Sequence, residues 1–447
     1  MSTSRHTLAL ALAIVIPWLA AACGPSILPS PQPTAPPTAP PTPTLAPGPT
    51  TTPQASATSA AQSDLDYLLG QIETTHPQPW HGIARDEWVA HMRQLQADLP
   101  GLTPEQAYAR LCALVASLSH EGRDGHQFVI VPDNQERPAL PFRTYEFAEG
   151  VFVTAAMPGY EELVGRRITA FDGKPIDEVL AALEPLVPRD GPATVPGFRT
   201  IFLLRTSVLR GLGLVGEGNV KVSVGGDGRP DTVIDVTPAD WAAWRAWAGE
   251  YGIALPARDD TLYLSDPDTT LWWRALPESD TLYVRYQRVQ LVDSADAFAI
   301  AAAAADPAVT RVVFDLRQNP GGDNHNIAML LSVLQDATAD RPGSLHVLTD
   351  RLTFSAAANF ATQLEQNTDA VFAGEQMGGG LNFWDDVRWV DLPHYPLAPR
   401  VGVSTRYWQF AAADDPRLAI EPDIAVPVTA SDYFSGRDPT LDAVTAN

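Results

Sequence analysis

The sequence predicts a mixed α/β protein, and three observations carry that class. From about residue 260 short apolar runs alternate with stretches of helical periodicity, the pattern of a sheet layered against helices. Ahead of them, residues 63–135 place apolar side chains at three- and four-residue steps, as packed helices require. Between the two, residues 136–245 hold short β-like runs separated by glycine turns.

The elements follow in order. Leu8 to Ala22 is an apolar run behind Arg5 and His6, interrupted by Pro17 and too short for a comfortable membrane span. It ends in Leu19-Ala20-Ala21-Ala22-Cys23-Gly24, which resembles a bacterial lipobox. That resemblance implies a lipoprotein signal peptide over 1–23, with Cys23 as the lipidated residue. The leucine stands one place earlier than the usual pattern, so ordinary cleavage after Ala-x-Ala is the alternative. Residues 24–62 form a Pro/Thr-rich linker, with twelve prolines among residues 25–62. Such a segment buries no core and favours extended polyproline backbone, reaching up to about 100 Å at ~3.1 Å per residue.

Helices are expected from Ser63, where Leu65, Leu68, Leu69 and Ile72 recur, then over Trp88–Leu99 and Pro104–Leu118, with Thr103 as N-cap. Cys112 lies in the apolar Leu111–Leu118 run and reads as a small core residue. Phe128–Val131 and Val151–Val153 read as strands. Gly165 to Ile176 resembles the strand–turn–strand of PDZ domains in bacterial proteases, hence a PDZ-like module over 136–245. Gly211-Leu212-Gly213-Leu214 follows the helical run Ile201–Leu209 and reads better as a glycine C-cap than as a carboxylate loop. In the last region, 260–447, Leu282–Tyr286, Val312–Phe314, Leu345–Leu348 and Val371–Ala373 are the strands, and Asn324–Gln335 and Ser355–Gln366 the helices.

A formal net charge of −23 argues against a nucleic-acid partner, which needs basic side chains to neutralise phosphates. No Walker loop or dinucleotide fingerprint is present, and no cofactor is expected. His76-Pro77 and Trp80-His81 read as loop packing, since no cysteine or carboxylate sits at ligand spacing beside them. Trp272, Trp273, Tyr283 and Tyr286 read as core aromatics.

Two segments carry chemistry. In Val312 to Gly322 an apolar strand runs into a glycine pair, either a plain tight turn or a cradle aiming backbone N–H groups at an anion. In Thr353-Phe354-Ser355-Ala356-Ala357 a serine stands at a helix start, where it either caps the helix or presents its hydroxyl beside unpaired N–H groups. Asp315–Gly322, Thr353–Ala357, Gly374-Glu375 with Gly378–Gly380, and Pro422–Val426 occur in that order. Together they resemble the tail-specific, C-terminal-processing serine peptidases and their tricorn-like relatives, over about residues 63–437. The resemblance implies a crotonase-like α/β catalytic domain, Ser355 as nucleophile, and an oxyanion hole from the N–H groups of Gly321 or Gly322 and of Ala356.

One branch of that family uses a lysine some two dozen residues after the serine. Here Lys174 and Lys221 are the two lysines, both ahead of the catalytic domain, and arginine does not deprotonate near neutrality. The Ser–His–acid branch takes its histidine from an Asp-x-His context, which Asp124-Gly125-His126 matches, so the resemblance points to His126 as general base. His325 and then His120 are the other candidates. The acid would lie some sixty positions past the serine, at Asp415, with Asp414 and Glu421 as competitors. The function expected is a serine endopeptidase acting through an acyl-enzyme on a protein or peptide substrate, lipid-anchored to the membrane at the bacterial cell envelope. The rival is a non-catalytic binding protein of the same fold, for an apolar ligand or a peptide C-terminus.

Overall fold

A computed structural model describes residues 53–249 and 252–446. Cys23, the signal segment and most of the linker lie outside the described residues. The first helix, Pro53–Thr75, begins ten positions ahead of the expected Ser63. After Pro53 the proline repeat stops and alanines dominate, and proline is well tolerated in a helix's first turn. Leu65, Leu68 and Ile72 are fully buried on this helix. Arg85–Asp98 follows, where the buried Trp88 donates its indole N–H to Leu114 O at 2.9 Å. Pro104–Ala116 opens on a complete capping box between Thr103 and Gln106. Cys112 is buried on it and its thiol is pushed up to about 12 by burial, which makes it a packing residue.

The middle region pairs Phe142–Phe147 with Gly150–Ala156, and builds a four-stranded sheet from Lys174–Pro175, Ile168–Phe171, Val220–Val224 and Thr232–Val236. Asp172 and Gly173 make the tight turn between the first two of these, both at positive φ. Gly213, at φ +65°, closes the helix Thr206–Gly211, with the Leu214 N–H on Leu209 O at 2.8 Å.

The last region is a six-stranded sheet in the order Ile424–Ala425, Val371–Gly374, Leu345–Thr349, Arg311–Asp315, Thr281–Tyr286, Leu271–Leu276. Every pairing is parallel except the last. Helices Ser294–Ala304, Ala328–Thr338 and Ala356–Asn367 make the crossovers, as parallel strands need. Asn324–Asn326 is a separate 3₁₀ turn, so the helix expected from Asn324 starts at Ala328.

Two long-range pairings decide where the site falls. Val129–Ile130 joins Arg400–Val403, and Asn382–Asp385 joins Arg406–Gln409. One apolar core holds the N-terminal helices, the four-stranded sheet, Leu352 and Phe354 of the serine segment, and Val390 to Val403. Asp64 on the first helix accepts the N–H groups of His394 and Tyr395 at 2.7 and 2.9 Å. The helical layer is thereby fastened onto the serine-bearing domain.

Candidate active site

Ser355 joins the strand Leu345–Thr349 to the helix Ala356–Asn367. Its backbone lies at φ 52°, ψ −128°, a conformation that costs a non-glycine residue about 1–3 kcal/mol. Its hydroxyl does not cap the helix. Oγ instead donates to Asp385 Oδ2 at 3.2 Å. A serine held in a strained strand-to-helix turn, with its hydroxyl turned away from the helix, is placed as a nucleophile would be.

The surrounding motif residues hold this turn. Phe354 N–H donates to Asn319 O at 3.1 Å, and Thr353 Oγ1 to Leu316 O at 2.9 Å. Asp315 is buried against Arg317 and the Tyr283 hydroxyl, and Arg317 reaches on to Asp438 at 2.7 Å. Arg317, the buried Arg285 at 3.6 Å and these hydrogen bonds keep the Asp315 carboxyl below its ordinary value despite burial. Its role is to pin the strand end.

Gly321 lies at φ +105°, and a Cβ there would stand 2.6 Å from Ser355 Cβ. Its N–H donates to Asn319 Oδ1 at 2.9 Å. That commitment removes Gly321 from the expected oxyanion donors and leaves the N–H groups of Gly322 and Ala356. Gly322 (φ +147°) is pressed against Val289 O, where no side chain fits. Gly379 packs on Ala358 and the Ser355 N–H, so the Gly378–Gly380 turn forms the adjoining wall.

His126 arrives from the other end of the chain. Its ring stacks between Phe354 and Phe383, with centroids at 4.7 and 5.3 Å. Nε2 stands 3.3 Å from Asp385 Oδ2, the oxygen that also accepts from Ser355. Neither ring nitrogen has a partner in hydrogen-bond alignment, so this is proximity without a made bond.

Asp415 is not the acid beside His126. Its carboxylate is held by Arg417 at 2.8 Å in an exposed turn, and only its carbonyl faces the region, accepting from Arg123 at 3.1 Å. An arginine two residues on is a nearer and permanent partner. Asp414 is exposed, and Glu421 accepts from Gln376. His325 is exposed and bound to Asp323 at 2.7 Å, and His120 meets Pro185 O. A cleft of about 520 Å³ between the Glu146–Arg199 and Glu184–Arg189 pairs includes neither Ser355 nor His126 in its walls.

Three acidic residues were missed from the sequence. Asp385 carries no local signal beyond its place in an alternating strand. Asp124, taken above only as part of the Asp-x-His context, is a buried hub for His76 and His81. Asp190 is fully buried, accepting Gly125 N–H at 2.6 Å and Gly380 N–H at 3.3 Å. Burial pushes its carboxyl up to about 6, opposed by the neighbouring His126 and by the two N–H groups. With the carboxyl raised in the folded state, folding favours its protonated form. The resulting stability is full below the ordinary value near 3.8 and is lost as pH rises through about 6. The gap corresponds to about 3 kcal/mol. Urea unfolding at pH 4 and pH 7 should show wild type losing about 2 kcal/mol of this relative to Asp190→Asn, since pH 4 already lies just above the ordinary value; a difference that does not change with pH would refute the assignment.

Strained serine turn, glycine cradle and helical layer define the class: a mixed α/β fold with N-terminal helices and several small sheets. Mature CPAF complexed with lactacystin has this architecture, with a TM-score of 0.62 at 15% identity over 87% of this chain and 98% of that one. Mature CPAF gives 0.56, also at 15% identity, over 87% and 97%. A photosystem II D1 C-terminal processing protease is similar at 0.40 and 16% identity, over 87% and 97%. No family model matches the chain, and no curated protein does. At these identities what is shared is the fold.

Proposed function

We propose that the chain is a serine peptidase with Ser355 as nucleophile, His126 as general base and Asp385 as the acid. The observation that carries this is the meeting of Ser355 Oγ and His126 Nε2 on one carboxylate oxygen, Asp385 Oδ2, beside the helix N-terminus. At rest the serine hydroxyl donates to Asp385. Rotation about the Ser355 side chain, with substrate bound, hands Oγ to His126 Nε2, which takes the proton as Oγ attacks the scissile carbonyl. Asp385 lies beside Nε2 and not Nδ1, so the resting ring carries its proton on Nδ1 and the carboxylate acts as the adjacent anion that stabilises the imidazolium as it forms. The N–H groups of Gly322 and Ala356 face the developing oxyanion. The proton then passes from His126 to the leaving amine, and water repeats the sequence on the acyl-enzyme. Phe354 and Phe383 keep the ring plane fixed and shield it from solvent.

A fluorophosphonate probe should label wild type at Ser355. His126→Ala should be labelled far more slowly and lose peptidase activity to within about tenfold of a serine knockout, because such groups act as a unit. Full-speed labelling of His126→Ala would remove the histidine from the mechanism, and an unlabelled wild type would favour a binding protein. The proposal extends to an envelope tether through Cys23 and the proline-rich linker. Fractionation should find Cys23→Ala in the soluble fraction; a variant still on membranes would count against lipidation.

A further inference from the structure

His76 and His81 lie on the N-terminal layer, outside the groups given a role above, and both converge on one carboxylate. His76 Nε2 is 3.0 Å and His81 Nε2 3.3 Å from Asp124 Oδ2. Gln127 Nε2 donates to the same oxygen, and Ser404 Oγ to Oδ1 at 2.7 Å. These donors keep the Asp124 carboxyl below its ordinary value although it is wholly buried, so it is a fixed anion with four partners. Both imidazoles also pack on Trp384, with ring centroids at 4.6 and 6.3 Å. Trp384 N–H in turn donates to Arg123 O at 2.8 Å.

Asp124 stands two residues before His126, and Trp384 one residue before Asp385. We infer that His76 and His81 are positioning residues, clamping through Asp124 and Trp384 the two segments that carry His126 and Asp385. This inference rests on the peptidase proposal above.

Two imidazole nitrogens and a carboxylate oxygen within 4.8 Å of one another also have the reach to hold a cation. The tautomer argues otherwise. His76 Nδ1 accepts the Gln78 N–H at 3.0 Å, so in the neutral ring the proton sits on Nε2 and points at Asp124. A metal-bound histidine needs that nitrogen bare and uses its other N–H as a donor. Gln127 fits the same picture. Its amide turns Nε2 to the carboxylate and leaves Oε1 buried without a partner, a loss that only a donor-seeking anion justifies.

The test uses the full-length protein with casein and the fluorophosphonate probe. His76→Ala should lower kcat and the labelling rate about 100-fold, as expected for a base displaced by about 1 Å, with KM within about threefold and a shifted pH profile of kcat/KM. His76→Gln, whose amide N–H reaches about where Nε2 stands, should restore most of the rate. Folding is checked by near-ultraviolet circular dichroism; if His76→Ala does not fold, His81→Ala is read instead, with an expected loss of about tenfold. A folded variant with wild-type kcat and pH profile would overturn the inference, and so would failure of His76→Gln to outperform His76→Ala. Stoichiometric zinc in the purified protein, with activity lost to a chelator and restored by zinc, would overturn it in favour of a metal site. Failure of wild type to be labelled would instead strike the peptidase proposal itself.

Discussion

Ser355→Ala is expected to lower kcat on casein by about 10⁶-fold, the loss typical of a serine peptidase deprived of its nucleophile. The hydroxyl makes one hydrogen bond, to Asp385, and caps nothing. Alanine has the same backbone strain to bear at φ 52° and fills the same space without the oxygen. The folded structure should therefore survive, with an unchanged Tm, while labelling by a fluorophosphonate disappears. Casein cleavage at the wild-type rate by the purified variant would end the serine assignment.

Gly321→Ala should have the second largest effect, although residue 321 touches no proton in the reaction. Its φ of +105° is a region that L side chains rarely occupy, and the new Cβ would meet Ser355 Cβ at 2.6 Å, Ala356 N at 2.8 Å and Phe354 O at 2.9 Å. All three are near-backbone atoms of the nucleophile turn, which must yield by about half an ångström for the variant to fold. Moving the hydroxyl and the Ala356 N–H together should cost at least about 10²–10³ in kcat. Gly343→Ala is the control. It shares the positive φ, at +73°, but a Cβ there meets nothing within 4 Å, so it should be slightly less stable and fully active. If Gly321→Ala keeps its rate within tenfold, the glycine pair is a plain turn and the proposed oxyanion hole is misplaced.

Much of the local structure was legible without coordinates, because its signals are local. The Thr103–Gln106 box, the buried strand Arg311–Asp315 and the serine at a helix start are each written within a few neighbouring residues. The early start of the first helix was not legible, since composition alone blurred the end of a proline repeat into the alanine-rich turns that follow. At the site, an offset of some sixty residues pointed to Asp415, which an adjacent Arg417 claims. A carboxylate's chemistry depends on what surrounds it, and for Asp385 that is Ser355 and His126, 30 and 259 positions away.

By itself the sequence determined the mixed α/β class and the order of most of its elements, which follow from hydrophobic period, glycine placement and capping, all short-range properties of the chain. The two segments proposed to carry a nucleophile and an oxyanion cradle stood out only through their resemblance to a peptidase family. The tertiary structure alone decided that Ser355 and His126 both approach Asp385, that Gly321 gives its N–H to Asn319, and that His76 and His81 converge on Asp124. The reason lies in strand pairing. Val129 against Val401 and Phe383 against Trp408 fold the helical layer over the serine-bearing sheet, and nothing in the residues near His126 or Asp385 specifies those distant partners.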